Sequence, residues 1–334
     1  MAIIQGLAAA VTAPVAARVE REAWVMGTRL RIVTEARLGS EAIAASEDVL
    51  REIERVERVL STWDTSSEMG RANAGPVGQD IVLSHELGDL LAAARILSER
   101  TGRAFDPVIG ALLDAWGLRG EGRTPAGVEF RGAVDATGPG AIRYGGSESS
   151  LRRLHPGAWI DTGAFGKGAA LRSAARLLTR RDVDRALIDL GGQFWAADDG
   201  RRPWTVDVAH PLRRHEPVAR LRVHGVSVAT SGNSERPGHL LDPRTGRPLP
   251  AWGSVTVVCD DPLRADALST ALYVMGPDEG RAWAEAEADL GVLFLDVRGG
   301  LMKATWTHVM EQWLTETPSD EYLDHAHYGK DEAR

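Results

Sequence analysis

The nonapeptide I-D-T-G-A-F-G-K-G, residues Ile160 to Gly168, leads directly into the alanine- and leucine-rich run Ala169–Arg180. Ala169, Ala170, Leu171, Ala174, Ala175, Leu177 and Leu178 recur at helical spacing, which predicts a helix. Ahead of it, Asp161 closes the short apolar segment Ala158–Ile160, and Gly163, Gly166 and Gly168 let a backbone approach a ligand closely. A glycine-rich turn that opens a helix and carries a lysine suits phosphate. The helix N-terminus offers unpaired N–H groups and positive partial charge, and Lys167 adds a full charge. It is not a P-loop, because Gly168 stands where a Ser or Thr would bind the metal. Taken alone, such a turn is more often a tight bend with a surface lysine.

Outward from this turn, strands and helices alternate irregularly. Ala23–Ala36 alternates Leu30 and Ile32 with Arg29 and Arg31, a strand pattern. Glu41–Leu60 carries Val49, Ile53, Val56 and Leu60 on one helical face, and Ser84–Arg100 does the same with Leu87, Leu90, Leu91, Ala94 and Leu97 behind a Ser84 N-cap. Pro107 is placed to start a short helix running to Trp116. Further on, Ala186–Leu190, Trp204–Ala209, Val218–Val223, Val226–Gly232 and Gly253–Cys259 read as strands with hairpin-length turns between several of them. Leu263–Met275 is a helix stopped by Gly276-Pro277, a further helix covers Asp278–Asp289, and Val292–Ala304 closes with a hairpin through Gly299-Gly300. The fold class is therefore α+β, with a largely antiparallel or mixed sheet core and flanking helices. One domain spans 23–315, with room for two lobes and a Gly-, Pro- and Ser-rich surface insertion at 121–150. Residues 1–22 read as a weak leader or disordered tail, and 316–334 as a polar tail.

Composition narrows the function. A net charge of −8 over 334 residues argues against nucleic-acid binding, which uses basic domains or stripes. Cys259 is the sole cysteine, so neither an internal disulfide nor a cysteine-rich zinc site is available. No run of about 18 apolar residues exists to span a membrane. The alanine-rich start has no Lys or Arg before Arg18 and no lipid-attachment cysteine, which favours a cytoplasmic location.

Among candidate chemical groups, Asp266 and Thr270 lie four apart on one face of a mostly apolar helix, so the carboxylate needs a partner. Two such oxygens, with a backbone carbonyl such as that of Ala164, suit a hard cation like Mg²⁺ that bridges to phosphates. Trp63 in the polar loop Ser61–Glu68 caps the preceding helix or stacks on a flat ligand, and Asp106 reads first as an N-cap. There is no G-x-S-x-G, Cys259 sits in an apolar strand, and the histidines show no H-E-x-x-H spacing.

The ordered set M-G-T (Met26–Thr28), S-T-W-D-T-S-S-E (Ser61–Glu68), G-R-A-F-D-P-V-I-G (Gly102–Gly110), D-T-G-A-F-G-K-G, I-D-L-G-G (Ile188–Gly192), A-T-S-G (Ala229–Gly232), H-L-L-D-P-R-T-G (His239–Gly246) and A-D-A-L-S-T-A-L resembles the FAD:protein FMN transferase (ApbE) family over about residues 23–315. The resemblance implies a T-fold-like architecture and Mg²⁺-dependent transfer of FMN from FAD to a threonine hydroxyl of an acceptor flavoprotein, with release of AMP. It also implies that Met26, Trp63, Ala104, Phe105, Asp106, Asp161, Lys167 and Leu241 hold FAD. Ala164, Asp266 and Thr270 would bind the metal, and His239 would act as general base. Exported family members leave the far side of the membrane open as a location. A metal-dependent FAD pyrophosphatase and a non-catalytic flavin-binding protein are the competing functions.

Overall fold

The computed structural model describes residues 17–145, 149–181, 183, 185–197, 202–232, 238–298 and 301–318. The leader as far as residue 16, the Gly299-Gly300 turn and the tail from 319 lie outside the described residues.

The chain starts with a hairpin rather than one strand. β1 (Ala17–Val25) and β2 (Thr28–Ala36) pair antiparallel, with Val25 opposite Thr28 and Ala17 opposite Ala36. Met26 and Gly27 turn the chain at φ 51° and 68°. Two successive positive φ values are what a two-residue hairpin with the right-handed strand twist requires. Sheet pairing therefore begins at Ala17, ahead of the expected domain start at Ala23. α1 (Gly39–Leu60) lays Val49, Ile53, Val56 and Leu60 onto the core, as its periodicity predicts.

A mixed segment follows: α2 (Glu68–Ala74), capped by Ser67; β3 (Asp80–Val82); α3 (His85–Arg100), capped by Ser84; and α4 (Gly110–Ala115). The helix expected from Pro107 begins only at Gly110, because the Asp106 carboxylate accepts from the Val108 N–H and holds a turn there. The stretch expected to be an irregular insertion contains α5 (Gly127–Asp135) and β4 (Ile142–Tyr144). With β5 (Ser150–Arg153), β3 and β4 form a small antiparallel sheet in the order β3-β5-β4.

α6 (Gly166–Leu178) is followed by β6 (Arg185–Leu190), β7 (Gln193–Ala197), β8 (Trp204–Ala209), β9 (Pro217–Val223) and β10 (Val226–Gly232). The two-residue strands β11 (Leu241–Asp242) and β12 (Arg247–Pro248) make a tight hairpin ahead of β13 (Gly253–Cys259). α7 (Pro262–Glu285) breaks at Gly276 (φ 79°, ψ 173°) just before Pro277, so it is two helices end to end. β14 (Gly291–Arg298), β15 (Leu301–Trp306) and β16 (Leu314–Glu316) end the fold.

The architecture is α+β with antiparallel sheets. Its centre is an eight-stranded sheet in the order β1-β2-β6-β7-β10-β13-β14-β15. One face carries α1, α6 and α7, and the other carries the three-stranded sheet β16-β9-β8. Successive residues sort to opposite faces. Val257 and Phe294 join the helix-side core, whereas Val258 and Leu293 join the core against the second sheet. A strand covered on both sides is buried along its whole length, so G-S-V-T-V-V-C is mostly apolar and carries only Ser254 and Thr256 as polar side chains.

Cys259 ends that strand. Burial pushes its thiol up to about 12. Ellman's reagent is therefore expected to leave Cys259 unmodified in the native protein and to label it in denaturant. Stoichiometric labelling of the native chain within minutes would contradict this burial.

Candidate active site

The glycine-rich turn is fixed from several directions. Asn73 pairs with the backbone of Ile160 as a strand would, donating to its carbonyl (2.9 Å) and accepting from its N–H (2.8 Å). The Asp161 N–H donates to the Pro107 carbonyl at 2.9 Å, and the Thr162 hydroxyl donates to the Leu60 carbonyl at 3.1 Å. These bonds set Asp161 beside the Ala104-Phe105-Asp106 segment. Phe105 and Phe165 meet edge to face, with ring centres 6.1 Å apart. Asp106 is buried, which raises its pKa; the Arg103 guanidinium and the Val108 N–H pull in the opposite direction. Met26 closes the group. Its N–H donates to Glu57 at 2.8 Å, and its methyl lies 3.5 Å from where a Cβ on Gly166 would stand.

The second half of the site is the crossing of α6 and α7. Gly168 is at the point of closest approach: a Cβ there would lie 2.4 Å from the Pro262 carbonyl oxygen and 2.7 Å from the Leu263 Cα. The close approach seats Asp266, only 5 % exposed, against the start of α6. One carboxylate oxygen accepts from the Gly168 N–H at 2.8 Å, and the other lies 3.3 Å from Lys167 Nζ. Because the Gly168 N–H turns to Asp266, it does not close a helical bond onto Ala164. Among the described residues nothing donates to the Ala164 carbonyl. Thr270, one turn along α7, has its hydroxyl 3.3 Å from that of Ser231, which also meets Ser269 at 2.8 Å.

No three His, Cys, Asp or Glu side chains converge among the described residues. The local donors are one buried carboxylate, one hydroxyl and one unpaired carbonyl. An all-oxygen set with a single carboxylate fits a hard cation that keeps waters and shares phosphate oxygens, so these residues fit Mg²⁺.

His239 and Leu241 come from the β11–β12 hairpin. Leu241 is buried with Ala111, Leu112 and Ala115. The Asp242 carboxylate accepts from the Arg244 N–H, and the Gly246 carbonyl takes the Trp116 indole N–H at 2.8 Å, so the loop rests on α4. His239 is half-buried at its entry. These contacts join Met26, Phe105, Asp106, Asp161, Lys167 and Asp266 around one turn, with Thr270 one helical turn beyond Asp266, while Leu241 directs its side chain to the α4 core.

Residues left unassigned by the sequence also belong to this place. Arg119 lies over both Trp63 and Trp159, 4.4 and 4.2 Å from their ring centres, and donates to Asp161 at 3.2 Å. Ser231 sits within the quoted A-T-S-G block. Neither had a local signal, since each meets its partners across 38 or more positions of chain. A cavity of about 710 Å³ lined in part by Arg172, Trp195 and Asp261 adjoins the later turns of α6 and shares none of the expected FAD residues.

The ApbE family model matches residues 26–294. An FAD:protein FMN transferase of Rhodobacter capsulatus is 30% identical over 303 residues, 87% of this chain, which spans 57% of that relative's length. One from Klebsiella pneumoniae is 28% identical over 270 residues, covering 78% of this chain and 84% of the relative. The solved flavin transferase ApbE from Vibrio cholerae superposes with a TM-score of 0.81 at 25% identity, covering 90% of this chain and all of that one. An ApbE protein from Thermotoga maritima gives 0.80 at 27%, with the same shares covered. With the glycine turn, the α6–α7 crossing and the hairpin all inside the matched span, the chain belongs to the ApbE family.

Proposed function

We propose that this protein transfers FMN from FAD to a threonine hydroxyl of an acceptor flavoprotein, with Mg²⁺ and with release of AMP. The observation that carries the reading is the buried Asp266 carboxylate seated on the first turn of α6, where it takes the Gly168 N–H, leaves the Ala164 carbonyl without its helical donor and stands one turn from Thr270. The relatives named FAD:protein FMN transferase support it.

In this reading the first turn of α6 and Lys167 face the pyrophosphate of FAD. A helix N-terminus offers N–H donors and positive partial charge to phosphate oxygens. Trp63 and Met26 contact the flavin, the Ala104–Asp106 segment and Asp161 orient the nucleotide, and the Leu241 backbone touches it. Asp266, Thr270 and the Ala164 carbonyl hold Mg²⁺. Bound there, the ion neutralises charge on the pyrophosphate. His239, as a neutral imidazole, takes the proton from the acceptor threonine. The hydroxyl oxygen then bonds to the FMN-side phosphorus, the bond from that phosphorus to the bridging oxygen breaks, and AMP leaves with the electron pair.

Mass spectrometry of an acceptor protein incubated with this chain, FAD and Mg²⁺ tests the proposal. The expected product is an acceptor heavier by one FMN phosphoester, with one AMP per transfer. AMP and free FMN appearing while the acceptor stays unmodified would instead make the protein a pyrophosphatase. Intact FAD after hours would make it a flavin-binding protein.

A further inference from the structure

Arg119 has no place in the reaction just described, yet it touches Trp63, which contacts the flavin in that reading, and Asp161, which orients the nucleotide. Its backbone is pinned in the turn after α4, where the Gly117 N–H donates to Asp114, the Leu118 N–H to Leu113, and the N–H groups of Gly120 and Gly122 both to the Gly117 carbonyl. From there the guanidinium donates to the Thr62 carbonyl (3.0 Å), the Thr62 hydroxyl (2.5 Å) and Asp161 (3.2 Å). Its planar face serves Trp63 and Trp159 at the same time. Arginine can do both, because its donors lie in the plane and leave the faces free to stack.

The stack is anchored at one end. The Trp159 indole N–H donates to Asp114 at 2.8 Å, and its ring lies on Gly110, where a Cβ would come within 2.0 Å. The other end is open. Trp63 is 73 % exposed, and among the described residues Arg119 is the group its ring stacks on. An exposed indole in a polar loop would otherwise sample several rotamers, and each would have to be given up when a flat ligand binds.

We propose that Arg119 is a positioning residue of the FAD site: it holds the Trp63 ring in place, with Trp159 and Gly110 behind it, so that the open face of Trp63 is ready to stack on the isoalloxazine. This rests on the FAD reading given above. Arg119 acts through Trp63 and not as a phosphate ligand. The cation–π and in-plane contacts therefore matter for binding FAD and not for the bond-breaking step.

The test is FAD binding, read by quenching of flavin fluorescence, together with steady-state transfer kinetics, for the full chain and for the Arg119→Met, Arg119→Lys, Trp63→Ala and Arg119→Met/Trp63→Ala variants. Met keeps the length without the donors, and Lys keeps the charge without the plane. Both are expected to raise Kd and KM for FAD about tenfold, equivalent to about 1.4 kcal/mol, with kcat within about twofold. In the Trp63→Ala background the Arg119→Met change is expected to add nothing, the signature of two residues acting as one. Additive losses, an unchanged Kd, or rescue by Lys would overturn the proposal. The binding readout stands even if FMN never reaches an acceptor, an outcome that would sink the transferase reading alone. A wild-type chain that fails to bind FAD would overturn both.

Discussion

Asp266→Asn is expected to lower FMN transfer by at least about a hundredfold while leaving the melting temperature within about 2 °C of wild type. The asparagine carbonyl still accepts from the Gly168 N–H, now held at 2.8 Å, so the α6–α7 crossing stays satisfied. What disappears is the charge that faces Lys167 and that would hold Mg²⁺. Asp266→Ala should lose activity equally but also stability, because the buried Gly168 N–H is left without an acceptor, a cost of about 1–3 kcal/mol. The pair of variants separates charge from packing. In-gel flavin fluorescence of an acceptor, run beside thermal melts, reads both; an Asp266→Asn protein that transfers at the wild-type rate refutes the metal assignment.

Gly168→Ala is expected to damage fold and activity together. The new methyl would stand 2.4 Å from a carbonyl oxygen, 2.7 Å from a Cα and 2.8 Å from the Asp266 Cβ. Two of these atoms are backbone at the start of α7 and cannot rotate aside, so the helices must separate. Overpacking of this kind costs about 1–3 kcal/mol, and a melting temperature lower by about 2–4 °C is expected in a chain of this size. Separation of the helices also lengthens the Gly168–Asp266 bond, so transfer should fall by about tenfold or more. Differential scanning calorimetry with the same transfer assay decides it. A melting curve superimposable on wild type would show that α6 and α7 do not meet as closely as described.

Gly168 and Asp266 at this crossing show which parts of the molecule were readable from sequence. Long periodic helices were legible because burial follows spacing: Val49, Ile53, Val56 and Leu60 declare the inner face of α1. The break in α7 was legible because Gly276-Pro277 forces it. The opening hairpin was not, since Met26 is a poor signal for a positive φ, and the Glu57 carboxylate that takes its N–H comes from α1, 31 positions on. Helices of two turns, such as α2 and α5, carry too few residues to display a period. At the site, Asp266 and Thr270 announced themselves as polar residues in an apolar helix. What Asp266 meets lies 98 and 99 positions away, and Arg119 reaches Thr62 and Asp161 across 57 and 42. Contacts of that range leave no mark in a window of sequence; the family pattern carried the site, and the structure supplied the positioning groups.

β1 has a further consequence for how the molecule meets other chains. Among the described residues β1 is the outermost strand of the eight-stranded sheet, and an edge strand is a template on which a foreign strand can grow. Here three of the four outward positions, Arg18, Glu20 and Glu22, are charged and the fourth is Trp24, and Arg31 and Arg29 on β2 pair with the two glutamates. A strand added alongside would crowd that charged lattice and strip water from it. At the opposite margin β15 places Lys303 outward beside the exposed Leu301. Charge at both margins thus opposes edge-to-edge aggregation of the central sheet.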